Sequence, residues 1–166
     1  MKRFMIMALM LIGIGVSASA QNFGFGVNLS YGSEIEKPSF GIKALYDINE
    51  TFAIAPSFNY YLPESDDYLG VEYKFWDINV DLHWNCYDAD MYQLYPLIGV
   101  TYLNGKVSAE DSGLEVSASD GEFGVNLGFG GQLYLTENWL VSAEVKYQII
   151  DQTNQFVPSL SLIYKF

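Results

Sequence analysis

The sequence predicts an all-β protein, an eight-stranded antiparallel transmembrane up-and-down β-barrel, on the strength of three observations. Bulky apolar residues alternate with small or polar ones in eight separate runs. The connections between these runs are alternately short and long. Aromatic residues make up 16% of the chain and collect at the ends of the runs, where the interfaces of a membrane select them. A chain of 166 residues has room for one such domain.

The first twenty residues have the features of a secretory signal peptide. Two basic residues precede an apolar stretch without charges, and small residues at 18–20 supply a cleavage site. The apolar stretch is short for a membrane-spanning helix, so we prefer cleavage to a retained span. We therefore predict a cleaved signal peptide over residues 1–20 and a barrel domain over residues 21–166, with Gln21 as its first residue.

The charge of the predicted mature domain excludes some partners. Without Lys2 and Arg3, six lysines face twenty Asp and Glu residues, a formal charge of about −14. Nucleic acids require clustered Lys or Arg, so we expect no nucleic-acid partner. The single cysteine, Cys86, cannot form an internal disulfide. We interpret it as an ordinary residue of one of the short turns, which lie on the periplasmic side of transmembrane barrels.

Each of the eight runs supports one strand. The fourth is the clearest, because Trp76, Ile78 and Val80 alternate with Asp77, Asn79 and other polar residues. The fifth is less polar on its second face, and the sixth contains several glycines on its small-residue face. In chain order, the runs cover residues 23–31, 39–46, 52–60, 76–84, 92–102, 122–135, 139–148 and 156–166. An even number of strands is what a closed antiparallel barrel requires.

Side-chain size decides which face meets lipid. Alternation alone also fits a secreted lipocalin-like barrel, which holds its apolar stripe inside around a ligand. Here the second face is mostly Gly, Ser, Ala and Asn, which suits the narrow interior of an eight-stranded barrel. The bulky stripe is therefore predicted to face hydrocarbon, with aromatic residues in two belts at its borders.

Several local sequences resemble the OmpA/OmpX-type outer-membrane β-barrel family. They are the signal peptide, the eight amphipathic runs, the turns at residues 46–52 and 136–139, and a final strand that ends in Tyr164-Lys165-Phe166. The resemblance covers essentially the whole mature chain and implies location in the bacterial outer membrane. It also implies that Tyr164 and Phe166 form the signal recognised by the barrel-assembly machinery. We expect no periplasmic domain after Phe166 and therefore no anchoring to peptidoglycan.

Charged residues on the inner face form the first candidate site. They are Lys43, Asp77, Asp81, Glu122, Glu144, Lys146 and Lys165. Buried charges must be paired, and eight strands leave no room for an open channel, so an ion-pair network that plugs the interior is favoured over a polar pore. The lone His83 shares this face. We interpret it as a core or turn histidine rather than a catalytic base, because no nucleophile or relay partner is evident.

The predicted extracellular loops form the second candidate site. The loops around residues 32–38, 62–69 and 104–120 are acidic, but none has the ligand spacing of a calcium loop, so we predict a solvated surface without metal or cofactor. Alternation continues on both sides of Asp111-Ser112-Gly113, which predicts a hairpin over residues 104–120 that protrudes from the membrane. Exposed strand edges can dock other proteins. A mobile surface loop remains the alternative.

These patterns favour a monomer without catalytic activity, with a structural or surface adhesion and recognition role. Its expected partners are outer-membrane lipid and lipopolysaccharide, the barrel-assembly machinery, and a protein at the 104–120 hairpin. Two alternatives stay open: a barrel enzyme that modifies lipid A, which would need a polar cluster on the lipid face, and the secreted lipocalin-like barrel.

Overall fold

The computed structural model describes residues 22–66, 71–89, 91–111, 114–151 and 153–166. The predicted signal peptide over residues 1–20 lies outside these ranges, so its cleavage stays a prediction. Within the described residues, we find no helix with the length and apolar character needed to cross a bilayer.

Ten antiparallel strands make up the described structure, and eight of them are long enough to build a barrel wall. The long strands are β1 (Phe23–Gly32), β2 (Lys37–Asp47), β3 (Phe52–Tyr61), β5 (Val71–Trp84), β7 (Tyr92–Asp111), β8 (Leu114–Tyr134), β9 (Trp139–Ile150) and β10 (Gln155–Lys165). The two short strands are β4 (Glu64–Asp66) and β6 (Tyr87–Ala89).

The long strands follow one another around a closed sheet. Each pairs with its neighbours in chain order, β5 pairs directly with β7, and β1 pairs with β10 to close the cylinder. The closing seam runs from Gly24 opposite Lys165 to Ser30 opposite Ser159. The predicted fold class, an eight-stranded antiparallel up-and-down barrel, is therefore confirmed.

Two connections differ from the sequence prediction. The segment after β1 is a turn of four residues between Gly32 and Lys37, not a long loop. The segment around Cys86 contains strand β6, where a compact turn was expected. The strand pairing changes here because of Pro96 on β7. Proline has no N–H, so this residue cannot donate a backbone hydrogen bond to the end of β5. Pairing with β7 stops at His83 opposite Leu97 and resumes one residue out of step at Tyr87 opposite Leu94, which makes a bulge.

The bulky face of every long strand points outward. Leu29 is 60% exposed and Phe129 is 67% exposed, whereas the neighbouring inward residues Asn28 and Asn126 are buried. This confirms the lipid-facing orientation. The secreted lipocalin-like alternative is wrong, because the apolar stripe lies outside the barrel and the interior is packed with polar side chains.

Aromatic contacts mark both borders of the outer surface. On one border the Trp76 ring lies 5.6 Å from Tyr102, which lies 4.8 Å from Phe123. On the other, Tyr164 lies 5.1 Å from Trp139 and 5.2 Å from Phe166. Strands of about ten residues between two such belts match the thickness of a bilayer when tilted.

One hydrogen bond of the barrel wall is lost at Pro56, halfway along β3. Backbone bonds from Leu62 to Pro38 and from Ile48 to Phe52 show that even-numbered residues of β3 bond to β2. Pro56 therefore faces Ala44 at a bonding position without an N–H, and the regular pairing is interrupted there. Hydrocarbon supplies no replacement donor for the carbonyl of Ala44, so this position weakens the β2–β3 seam.

Replacing Pro56 with Val should stabilise the barrel by about 1–3 kcal/mol, because the new N–H satisfies a carbonyl, that of Ala44, which otherwise lacks a donor in hydrocarbon. Thermal unfolding in detergent micelles measures the effect. Pro158→Val is the matched control. The Pro158 nitrogen faces Tyr31 near the aromatic border, where water can donate a hydrogen bond to the Tyr31 carbonyl. Equal melting temperatures for the two variants would contradict the argument.

Candidate functional site

The middle of the barrel interior contains the carboxylate of Glu144, which is buried on β9. Lys43 on β2 forms an ion pair and hydrogen bond with its Oε1 atom. The Tyr95 hydroxyl on β7 donates to the same oxygen at 2.7 Å, and the Ser142 hydroxyl donates at 3.3 Å. Three strands that are distant in the sequence therefore converge on one acceptor.

A second ion pair lies at the next inward position of β9. The Lys146 Nζ atom on β9 donates to Asp81 Oδ2 on β5 at 3.0 Å, and both side chains are buried. The Asn126 amide donates to the other oxygen, Oδ1, at 2.7 Å. Both oxygens of Asp81 are thus bonded, as a buried carboxylate requires.

Asp77 is surrounded by neutral donors instead of a lysine. Its Oδ1 atom accepts hydrogen bonds from Asn59 at 2.8 Å and Asn79 at 2.6 Å, and its Oδ2 atom accepts one from Tyr61 at 2.8 Å. Further buried side chains extend this layer across the barrel: Asn28, Thr101, Gln148, Gln155 and Ser161.

Glycines on the inner face of β8 make room for these groups. A Cβ atom at Gly130 would lie 2.6 Å from Glu144 Cγ, and one at Gly128 would lie 2.7 Å from Lys146 Cα. A side chain does not fit at either position. The glycines on this strand therefore reflect tight packing inside the barrel.

Two apolar layers enclose the polar network. The layer near the strand ends opposite the protruding hairpin contains Leu45, Ala53, Ala55, Leu140 and Ile163, all fully or almost fully buried. The layer at the other end contains Tyr61, Leu103 and Ile150, with Ile35 and Phe75 against it. Apolar side chains therefore lie on both sides of the polar layer along the strands.

His83 lies inside the network but is poorly bonded. It is fully buried and its ring stacks on Tyr95 at 4.2 Å. Its Nε2 atom lies 3.5 Å from Glu144 Oε1, and neither ring nitrogen has a hydrogen-bond partner in the described structure. The histidine faces the interior and not the lipid.

The remaining predicted charges lie elsewhere. Five of the seven residues, namely Lys43, Asp77, Asp81, Glu144 and Lys146, meet in the interior. Glu122 is half-buried on β8 and is not joined to that cluster by any ion pair among the described residues. Lys165 pairs with Asp47 at 2.5 Å near the end of the barrel.

The predicted assembly signal lies at the closing seam. The Phe166 N–H donates to the Phe23 carbonyl at 3.0 Å, and the Phe166 ring stacks on Phe23 and contacts Tyr164. Cys86 is exposed in the bulge between β5 and β6, with its thiol 3.4 Å from the Leu94 carbonyl.

A sheet continues beyond the barrel at the end that carries the 104–120 segment. Strands β7 and β8 pair without interruption as far as Asp111 opposite Leu114. The predicted hairpin is therefore present. Strand β5 accompanies β7 as far as Val71 opposite Ala109, and β4 adds a further strand to β5. The protrusion, here called the protruding sheet, thus has four strands: β4, the first part of β5, the last part of β7 and the first part of β8.

Comparison with known families decides the class of protein. The family model described as "Outer membrane protein beta-barrel domain" matches residues 6–166. The chain belongs to this family. It is an outer-membrane β-barrel protein of bacteria, as the resemblance in its sequence implied.

Solved structures similar to this outer-membrane barrel include Ail, the attachment invasion locus protein of Yersinia pestis, with a TM-score of 0.60 and 19% identity over 87% of this chain and 97% of Ail. The N-terminal barrel domain of Pseudomonas aeruginosa OprF has a TM-score of 0.60 and 15% identity over 88% of this chain and 98% of that domain. Neisserial surface protein A has a TM-score of 0.57 and 18% identity over 89% of this chain and 98% of that protein. At such identities the likeness concerns the fold. No curated protein matches the sequence of this chain.

Sequence reasoning located the charges of the interior but not the amide and tyrosine residues that bond them. Asn59, Asn79 and Gln148 occupy inward positions of their strands, as does Tyr95. An inward aromatic residue with a hydroxyl group is the signal that could have singled out Tyr95.

Replacing Asp81 with Ala should lower the stability of the barrel by about 3–5 kcal/mol, because Lys146 is left buried without its partner. Thermal unfolding in detergent micelles measures the loss. Asp47→Ala breaks the pair with Lys165, whose side chains are partly open to water, and serves as control with a smaller expected loss. An unchanged melting profile for Asp81→Ala would reject the pairing.

Proposed function

We propose that this outer-membrane protein has a surface recognition role, adhesive or structural, and that its interior does not conduct ions. The observation that carries the proposal is the protruding sheet, which extends beyond the aromatic belt of the barrel. Regular backbone pairing outside the membrane presents a shaped surface for another protein.

A plugged interior is supported by the packing inside the barrel. Asp81 and Glu144 each bond a lysine, and the apolar layers around Leu45 and Leu103 lie on either side of them. A barrel of eight strands has an interior that side chains fill. Ion passage would require separating buried ion pairs, which costs several kcal/mol.

We expect no steady single-channel conductance when the purified protein is inserted in planar lipid bilayers, because the interior pairs stay closed. A porin reconstituted in the same lipid is the positive control. Discrete current steps that scale with salt concentration would contradict the plug.

We further propose a monomeric protein without enzymatic activity. A lipid-modifying enzyme needs its catalytic groups beside the lipid, whereas His83 and its neighbours Tyr95 and Glu144 face the interior. Outer-membrane lipid and lipopolysaccharide are the expected environment of the exposed apolar stripe. Tyr164 and Phe166 are proposed as the contact with the barrel-assembly machinery.

Adhesion is the form of recognition that the neighbours suggest. Ail is an attachment invasion locus protein, and a second solved structure shows Ail in complex with the heparin analogue sucrose octasulfate. These properties belong to Ail. For the present chain, a polyanion is a poor ligand at the protruding sheet, since residues 104–123 carry five carboxylates and one lysine.

Removing the tip of the protruding sheet should abolish recognition and leave the barrel folded. Gly105 and Asp120 face each other across the hairpin, so residues 106–119 can be replaced by a two-residue Asn-Gly turn. Heat-modifiable gel mobility reports folding. Attachment of cells that display the protein to a panel of immobilised proteins reports recognition.

As the matched control, we suggest replacing residues 33–36, the turn between β1 and β2, by Asn-Gly. It shortens a different turn and should leave attachment unchanged. Attachment that survives in the variant lacking residues 106–119 would rule out recognition by the protruding sheet.

A further inference from the structure

We infer that the β8 edge of the protruding sheet binds an extended, lysine- or arginine-rich segment of another protein as an added β-strand. This inference rests on the proposed recognition role and names the chemistry of the partner. It follows from the hydrogen-bond direction along β8, from the lack of proline, lysine and bulges in residues 114–123, and from the acidic charge of the sheet.

Strand β8 extends beyond the end of its neighbour β9. Its pairing with β9 begins at Gly124 opposite Ile150, whereas its pairing with β7 continues to Leu114. Within the described part of the chain, residues 114–123 therefore have a strand on one side only. The open side is ten residues long, comparable to a whole barrel strand such as β3.

The backbone groups that face the open side can be identified. The Tyr134 N–H donates to the Met91 carbonyl at 2.8 Å, and the register between β7 and β8 is uninterrupted. Even-numbered residues of β8 thus bond to β7, and odd-numbered residues face away. The residues whose N–H and C=O groups face the open edge are Glu115, Ser117, Ser119, Gly121 and Phe123. Of these, the Gly121 N–H is bonded to the Asp120 carboxylate at 2.9 Å.

The charges on this edge are all acidic, and the other usual barriers to strand pairing are missing from it. Natural edges are protected by proline, by charged side chains, above all lysine, or by a bulge that blocks the approach of another chain. Residues 114–123 contain neither proline nor lysine, and their register with β7 contains no bulge. An incoming strand therefore finds a straight row of donors and acceptors at alternate residues.

The acidic charge of the protruding sheet determines which kind of strand binds the β8 edge. Residues 104–123 carry Glu110, Asp111, Glu115, Asp120 and Glu122 against Lys106 alone. A basic strand gains from this field, and an acidic one is repelled. The same argument disfavours a second copy of this chain as occupant, because its β8 edge would bring the same carboxylates to the interface.

The experiment uses the full mature protein in lipid nanodiscs and two labelled peptides. One peptide alternates lysine with valine, and the other alternates glutamate with valine. Fluorescence anisotropy at low and high salt should give a Kd for the lysine peptide about tenfold or more below that of the glutamate peptide at low salt, and a smaller difference at high salt.

A paired substitution tests the strand geometry. Ser117→Pro with Ser119→Pro removes two N–H groups that face the open edge and leaves the bonds to β7 in place. It should weaken binding of the lysine peptide about tenfold or more. Ser117→Ala with Ser119→Ala keeps both N–H groups and is the matched control, which should bind as the unaltered protein does.

Hydrogen exchange gives a second measure that does not depend on any variant folding. On binding the lysine peptide, the amides of Glu115, Ser117, Ser119 and Phe123 should gain protection, and the even-numbered amides between them should change little. Uniform change, or no change, would overturn strand addition even if the peptide binds.

The remaining outcomes are decisive as well. Equal binding of both peptides would overturn the charge selection, and equal binding to the proline and alanine variants would overturn the edge as the site. Should cell attachment depend on residues 106–119 while the lysine peptide fails to bind, this inference falls and the proposed recognition role stands. If attachment does not depend on those residues, the proposed role itself falls.

Discussion

Hydrocarbon offers no hydrogen-bonding partner to a peptide group, and this constraint governs the architecture of the protein. A sheet in lipid has to close on itself, because each unbonded N–H or C=O costs several kcal/mol. The pairing of β1 with β10 meets this demand by joining the first and last strands, from Gly24 opposite Lys165 onward. The departure at Pro56 is confined to one bond of one seam.

Closure at eight strands dictates what lies inside. The interior of an eight-stranded barrel is narrow, and the inward side chains that are charged need partners. Glu144 and Asp81 each receive a lysine, while Asp77 is bonded by Asn59, Asn79 and Tyr61. Such a network fixes the positions of several strands at once, because each carboxylate accepts bonds from more than one of them. Glycines on β8 provide the space that these larger groups occupy.

Beyond the aromatic belt the constraint is relaxed, since water can bond the open side of a strand. There the sheet no longer needs to close, and β8 extends ten residues past its last partner on β9. The same backbone groups that would be costly in lipid become available for another chain. The position of the membrane border therefore decides where the molecule is a closed wall and where it presents an edge.

The amino-acid sequence by itself determined the number of barrel strands, the face that each turns to lipid and the hairpin at residues 104–120, because alternation with period two is a local property. It also located most interior charges, since Asp77, Asp81, Glu144 and Lys146 occupy inward positions of their strands. Only the tertiary structure decided which of them meet: Lys43 and Glu144 are 101 residues apart and come together through the stagger of a closed barrel. Strands β4 and β6 and the bulge near Cys86 were likewise decided by pairing across the sheet, which no local pattern encodes.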